Sequence, residues 1–133
     1  MSEFKLIVAG GRDFRDYNRC ARAITDLATS KDLYGNYNVS IVSGMAKGAD
    51  SLGADFAKFN RVKVYKFFAD WDEYGKQAGF IRNEAMGTFA DGLLAFWDQQ
   101  SRGTEHMIRY MQSLGKPVHI VNYGVNIPEL VLG

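Results

Sequence analysis

The chain has 133 residues, of which 47% are hydrophobic and 23% charged, a composition typical of one globular domain with a substantial core. Its formal net charge is +1, so the overall charge does not indicate binding to a nucleic acid or a membrane surface. This does not exclude a local basic site. No signal peptide is evident, and no apolar stretch approaches the roughly 20 residues of a membrane span. The single cysteine, Cys20, cannot form an internal disulfide, so we expect a cytoplasmic protein.

Hydrophobic periodicity predicts strands that alternate with helices along the chain. Strands are predicted at residues 4–9, 39–42, 61–68, 93–97 and 116–121. Helices are predicted at residues 16–31, 51–60, 77–89 and 104–114, with a polar and aromatic loop at 69–79. The residues of the third helix that we expect to face the core are Ala78, Ile81, Ala85 and Phe89. The tail after residue 121 has no clear period, and its apolar part, residues 127–132, could pack on its own domain or on a partner.

This alternation predicts an α/β fold of three layers, in which helices cover both faces of a mostly parallel five-stranded sheet. Right-handed crossovers leave few topologies, and we predict the strand order 3-2-1-4-5. In such sheets ligands bind beyond the carboxyl ends of the strands, where the order reverses. The turns at residues 10–13, 43–50 and 97–104, which all contain glycine, would therefore converge at one edge of the sheet.

The second of these turns, residues 43–50, follows a buried strand and opens a helix. Gly44 and Gly48 would let backbone N–H groups approach a ligand, and the helix start adds unpaired N–H groups that favour an anion. The alternative is a plain strand-to-helix turn whose glycines serve only geometry. The P-loop pattern fails, because Lys47 precedes the second glycine and Ala49 follows it, so magnesium-dependent hydrolysis of nucleoside triphosphates is not expected. Lys47 could touch phosphate or be solvated.

Other polar and aromatic residues near this edge have two interpretations each. Ser101 and Thr104 could cap the last helix, or they could hold a phosphate together with Arg102. Arg82 could be an ordinary surface residue, or its helix could aim it at the mouth of the pocket. Trp71 could stack on a base or cover the edge of the sheet.

Neither a metal nor another cofactor is expected, because the spacing of His106 and His119 does not resemble a metal site. No nucleophilic triad or carboxylate pair can be argued from spacing, so the sequence assigns no catalytic residue. A general base could come from carboxylates that the sequence does not rank, namely Asp13, Asp50 and Asp70.

Six short motifs occur in an order and spacing that resemble the SLOG superfamily, and more narrowly its YspA-type members: GGRDF, SGMAKGAD, ADW, GFIRN, ADGLLAFW and SRGTEHM. The resemblance implies one Rossmann-like domain over residues 1–133, with a pocket for a nucleotide or a nucleotide-derived ligand. Members have been proposed as sensors or processors of such ligands in prokaryotic and phage conflict systems. Relatives commonly dimerise, so the resemblance also allows a homo-oligomer.

One better-known relative, the lonely-guy phosphoribohydrolases, cleaves the N-glycosidic bond of nucleoside monophosphates. Arg82 matches its arginine, and Gly103 and Thr104 match the G-T of its G-G-x-G-T-x-x-E motif. The catalytic glutamate position is Met107, and Glu105 comes two places early, about 200° away around a helix. This departure weakens the hydrolase hypothesis, for which the general acid would have to be Asp13, Asp50 or Glu105.

The other relative, the DNA-processing protein A family, binds single-stranded DNA. Its SGxAxGxD turn is similar to residues 43–50, and its arginine–asparagine pair is similar to Arg82 and Asn83. The near-neutral charge gives little of the electrostatic footprint that DNA binding normally shows, so we rank this partner below a small nucleotide-derived molecule.

The resulting hypothesis is a binding site for a nucleotide or nucleotide-derived ligand. Glycines and hydroxyl groups would surround a phosphate, arginines would balance its charge, Asp13 and Asp50 would bind sugar hydroxyls or orient an arginine, and Trp71 would cover the base. The predicted site is Gly10, Gly11, Arg12, Asp13, Ser43, Gly44, Lys47, Gly48, Asp50, Asp70, Trp71, Arg82, Asn83, Ser101, Arg102, Gly103 and Thr104.

Overall fold

In the computed structural model, which describes residues 2–124, five strands form one parallel sheet. The strands are β1 (Glu3–Gly10), β2 (Asn38–Ser43), β3 (Val64–Lys66), β4 (Gly92–Trp97) and β5 (Val118–Asn122). Their order is β3-β2-β1-β4-β5, and all four neighbouring pairs are parallel. The predicted three-layer α/β fold and strand order are therefore confirmed.

Helices cover both faces of this sheet. They are α1 (Tyr17–Thr29), α2 (Ala49–Phe59), α3 (Trp71–Tyr74), α4 (Ala78–Phe89) and α5 (Arg102–Ser113). A 3₁₀ turn, Gly75–Gln77, joins α3 to α4. Within the described residues, none of these helices is long and apolar enough to cross a membrane.

The central strand β1 divides the core into two hydrophobic clusters. Leu6 and Val8 belong to the cluster that contains α1 and α2, whereas Ile7 and Ala9 belong to the cluster that contains α4 and α5. All four side chains are buried, because helices cover both faces of the sheet. A continuous apolar run therefore forms this strand, and its end is delivered to the edge where a ligand would bind.

Two segments before α4 differ from the sequence prediction. β3 is limited to Val64–Lys66, because the preceding residues close α2: the Val62 N–H donates to the Ala57 carbonyl at 2.8 Å. The predicted loop at 69–79 contains α3 and the 3₁₀ turn. Asp70 caps α3 by accepting a hydrogen bond from the Glu73 N–H at 3.1 Å.

The orientation of α4 also corrects the prediction. Ala78 is buried as expected, but Ile81, Ala85 and Phe89 are exposed. The buried side of the helix instead carries Asn83, Met86 and Gly87. Asn83 faces inward because its amide is hydrogen-bonded to α5, which offsets the cost of burying a polar group. The tail hypothesis for residues 127–132 lies outside the described residues.

A glycine-to-alanine change at Gly53 should destabilise the fold. Gly53 lies on the buried side of α2, where an added Cβ would be 2.6 Å from the Cβ of Val8 on β1. We expect the free energy of unfolding to fall by about 1–3 kcal/mol, because neither backbone can move without repacking the core. Urea unfolding measures this change.

Gly103→Ala on α5 is the matched control, because its Cβ would meet no atom within 4 Å. We expect that variant to be as stable as the parent or slightly more stable, since alanine is the better helix former. Equal stability of the Gly53→Ala variant and the parent would contradict the close packing of α2 on β1.

Candidate functional site

The turns after β1 and β2 meet the end of β4 at the carboxyl edge of the sheet through direct backbone contacts. The Gly11 N–H donates to the Phe96 carbonyl at the end of β4, and the Ala49 N–H donates to the Gly11 carbonyl. A Cβ on Gly10 would lie 2.3 Å from the Phe96 carbonyl oxygen, and a Cβ on Gly48 would lie 2.2 Å from the Gly11 carbonyl oxygen. Gly48 also has a φ of +84°, so glycine is required there for two reasons.

A cleft of about 280 Å³ opens beside these turns. Its walls come from the end of β1 and the turn after it, the turn after β2 with the start of α2, the α3–α4 segment and the beginning of α5. Nine residues of the predicted site line it: Gly10, Arg12, Asp50, Trp71, Arg82, Asn83, Ser101, Gly103 and Thr104. The structure thus brings together residues that lie as far as 94 positions apart in the chain, from Gly10 to Thr104.

The other eight predicted residues do not line the cleft: Gly11, Asp13, Ser43, Gly44, Lys47, Gly48, Asp70 and Arg102. Several of them support the turns instead. The Ser43 hydroxyl is buried, donates to the Asp50 carbonyl at 2.8 Å and accepts from the Met45 N–H at 3.1 Å. Lys47 and Arg102 are exposed.

Lining residues outside the predicted site come mainly from the segment before and within α4. They are Ala9, Ala46, Lys76, Gly79, Phe80 and Met107. Residues 71–80 contain one lysine and three aromatic residues, and this is the signal that could have identified Lys76 and Phe80. Met107, at the position of the lonely-guy glutamate, presents a thioether to the cleft in place of a carboxylate.

Arg82 and Asn83 tie three elements together around the cleft. The Arg82 Nη1 donates to the Gly44 carbonyl at 2.7 Å, and its Nε donates to the Asn83 Oδ1 at 3.1 Å. The Asn83 Nδ2 in turn donates to the Gly103 carbonyl at 3.2 Å. These bonds connect the turn after β2, α4 and the first turn of α5, so Arg82 is not an ordinary surface residue.

The cleft contains two positive charges near each other. Burial lowers the pKa of Arg82, the charge of Asp50 opposes this shift, and the charge of Arg12 lowers the pKa further. Arg12 is exposed and makes no hydrogen bond or ion pair with any residue from 2 to 124. Its guanidinium donors are thus available to a ligand.

Asp50 is a buried acid, 5% exposed, in the wall of the cleft. Burial raises its pKa to about 6, against the opposing effects of Arg82 and of hydrogen bonding from the backbone of Ala46 and Gly10. The ion pairs among the described residues are His106–Glu84 and Arg109–Glu105, so Asp50 and Arg82 interact through space without direct contact.

The first turn of α5 favours the capping interpretation of its polar residues. The Ser101 Oγ accepts hydrogen bonds from the Thr104 N–H at 3.5 Å and from the Thr104 hydroxyl at 3.1 Å. Asp98 holds the preceding loop by accepting from the N–H groups of Gln100 and Ser101, and these bonds lower the pKa of Asp98. The helix start nevertheless faces the cleft, so its dipole adds to the positive field there.

Two aromatic side chains also line the cleft. Trp71 is 52% exposed and lies over Gly79, with its Cη2 atom 3.5 Å from where a Cβ would be. Phe80 packs on the His106 ring with a centroid separation of 4.6 Å. The lining of the cleft therefore combines aromatic rings with basic side chains.

The three carboxylates considered as general acids lie in different environments. Asp50 lines the cleft, whereas Asp13 accepts a hydrogen bond from Tyr123 and Glu105 pairs with Arg109 at 3.3 Å. Within residues 2–124, no three histidine, cysteine or carboxylate side chains are arranged to hold a metal ion.

Replacing Asp50 with asparagine should change how stability depends on pH. Since folding raises the Asp50 pKa from 3.8 to about 6, folding favours the protonated form, and the acid destabilises the fold as the pH rises through this window. Between about pH 4 and pH 7, the free energy of unfolding of Asp50→Asn should gain about 2 kcal/mol relative to the parent. Urea unfolding at both pH values gives the difference, with Asp55→Asn, an exposed acid on the same helix, as the control. A difference independent of pH would contradict the burial of a charged Asp50.

Comparison with known proteins identifies the family and the fold. The model of a family described as YAcAr, the YspA, cpYpsA-related SLOG family, matches residues 4–74. The Gene 61 protein of Mycobacterium phage D29 is 32% identical over 127 residues, which cover 90% of this chain and 96% of that protein.

Two solved structures of DNA processing protein A share the fold. The Streptococcus pneumoniae protein has a TM-score of 0.69 and 18% identity over 93% of this chain, which spans only about half (52%) of its length. The Helicobacter pylori protein, solved to describe its single-stranded DNA binding mode, has a TM-score of 0.67 and 20% identity, with 97% of this chain and 72% of that chain covered. The fold, the motifs and the family match together show that this chain belongs to the YspA, cpYpsA-related SLOG family.

Proposed function

We propose that the cleft binds a nucleotide or nucleotide-derived ligand through its phosphate. The observation that carries this proposal is the pair of arginines, Arg12 and Arg82, in one cleft wall. The charge of Arg12 lowers the pKa of Arg82, and neither arginine has a direct acidic partner within the described residues. A bound anion would relieve this repulsion, and guanidinium groups suit phosphate because they donate in a planar fork.

The rest of the cleft fits the other parts of a nucleotide. The exposed face of Trp71 and the ring of Phe80 offer a stacking surface for a base. Asp50 lines the cleft and could bind a sugar hydroxyl, either as a carboxylate acceptor or, below a pH of about 6, as a donor. The volume, about 280 Å³, lies at the small end of ligand pockets, which favours a mononucleotide over a dinucleotide.

Single-stranded DNA is the second candidate, favoured by one finding. The Helicobacter pylori neighbour, which shares this fold, has a single-stranded DNA binding mode. Arg102 and Lys47 are exposed on turns near the cleft and could contact phosphates that extend beyond it. A strand end would place one nucleotide in the cleft, so the two candidates share the same phosphate chemistry.

Removing the Arg12 guanidinium should weaken ligand-induced stabilisation. A ligand at a hundred times its dissociation constant adds about 2.7 kcal/mol of stability, a shift of several degrees in Tm. We expect this shift with at least one member of a panel of nucleoside mono-, di- and triphosphates, cyclic nucleotides, ADP-ribose and NAD. It should be clearly smaller in Arg12→Ala and unchanged in Arg22→Ala, which replaces an exposed arginine on α1.

Thermal melting of the three proteins checks this expectation, and chromatography of the incubated panel shows whether the ligand is consumed. A parent Tm that no panel member shifts would remove support for a small nucleotide ligand. Equal loss in both variants would show that the effect is not specific to the cleft.

The salt dependence of oligonucleotide binding separates the second candidate from the first. If the protein contacts several phosphates of a DNA strand, the affinity should fall steeply as the salt concentration rises. The logarithm of the binding constant should then fall against the logarithm of the salt concentration with a slope of about −0.7 per neutralised phosphate. A single nucleotide in the cleft should give a slope near the value for one contact. Fluorescence titration of labelled oligodeoxythymidylate at several salt concentrations measures the slope, and no binding at low salt would exclude this candidate.

A further inference from the structure

Tyr123, which directly follows β5, contacts the turn that carries Arg12 from the far side of the sheet edge. Its N–H donates to the Trp97 carbonyl at 3.0 Å and so continues the pairing of β4 with β5. Its hydroxyl donates to the Asp13 Oδ1 at 2.6 Å. The same hydroxyl oxygen lies 1.6 Å from where a Cβ on Gly11 would be, so it rests directly on the Gly11 backbone. Tyr123 thus contacts the residue on each side of Arg12.

The Tyr123 ring is itself fixed by the core. It packs edge-on against Phe14 at 4.9 Å, and Phe14 stacks on the buried Phe96 at 4.4 Å. Burial, together with the hydrogen bond and the negative charge of Asp13, raises the pKa of Tyr123, so its hydroxyl is a donor at neutral pH. The contact is therefore a charge-assisted hydrogen bond made from an immobilised side chain.

No hydrogen bond among the described residues holds the Arg12 side chain, so Arg12 depends on the support that Tyr123 gives to the backbone of its turn. It is exposed and has no hydrogen-bond partner among residues 2–124, so its position is set by the backbone of its turn. A group that must meet a ligand loses less entropy on binding when its backbone is already fixed. We propose that Tyr123 is a positioning residue for the ligand site, acting through Asp13 and Gly11 on Arg12; this inference rests on the function proposed above.

Tyr123→Phe tests the inference because it removes the hydroxyl and keeps the ring. We expect the affinity for AMP, or for single-stranded oligodeoxythymidylate if only that binds, to fall about fivefold. In an Arg12→Ala background the same change should leave the residual affinity unaltered, because the residue on which Tyr123 acts is gone. Isothermal titration of the four proteins measures the coupling.

Tyr65→Phe is the matched control. The Tyr65 hydroxyl also donates to a carboxylate, that of Glu3, with a donor–acceptor distance of 2.9 Å, and this pair lies away from the cleft. The affinity of Tyr65→Phe should equal that of the parent. An equal loss from Tyr123→Phe with and without the Arg12 side chain would overturn the inference, because Tyr123 would then act on the fold in general.

Amide hydrogen exchange decides the inference independently of any ligand. Tyr123→Phe should speed exchange of the Gly11 and Ala49 N–H groups, which bond within the turn cluster, and leave the amides of α1 unchanged. Should the parent bind neither probe, the proposed function fails, and faster exchange at these two amides still supports the positioning of the turn. Unchanged exchange there would overturn it.

Discussion

Backbone contact between turns is the constraint on which the rest of the site depends. The turns after β1 and β2 and the end of β4 approach so closely that carbonyl oxygens occupy the places where side chains of Gly10 and Gly48 would begin. Such an approach is open only to glycine, and it fixes the three strand ends relative to one another. The parallel sheet brings the carboxyl ends of these strands to one edge, and the absence of a Cβ at Gly10 and Gly48 lets their backbones touch.

Hydrogen bonds from α4 build on that frame. Arg82 reaches the Gly44 carbonyl and Asn83 reaches the Gly103 carbonyl, so α4 is held by polar contacts to both neighbouring turns. These bonds set the rotation of the helix about its axis and leave Ile81 and Phe89 exposed. Arg82 and Asn83 therefore determine which side of α4 packs on the core, which turns it is bonded to, and where a positive charge lies in the cleft.

The sequence predicted the sheet well because strand order follows from local periodicity and the handedness of connections. It could not predict the rotation of α4, since hydrophobicity ranks Ile81 above Asn83, and the carbonyl partners of Asn83 and Arg82 lie 20 and 38 residues away. The sequence did predict the cleft residues that lie in or beside the glycine-containing turns, such as Gly10, Arg12 and Gly103. Lys76 was missed because it lies in a 3₁₀ turn too short to show a period, and Phe80 because it lies outside the predicted inner face of α4.

The backbone and the side chains of the cleft have different tolerance to substitution. The frame of the cleft consists of glycine backbone, whereas its aromatic wall and floor consist of Trp71, Phe80 and Met107, which bond to none of the three turns through their side chains. Substitutions at the exposed Trp71 or Phe80 would leave this frame intact, whereas Met107 is buried in the core. Proteins of this fold can therefore differ in the wall of the cleft while their chains remain superimposable at 18–20% identity.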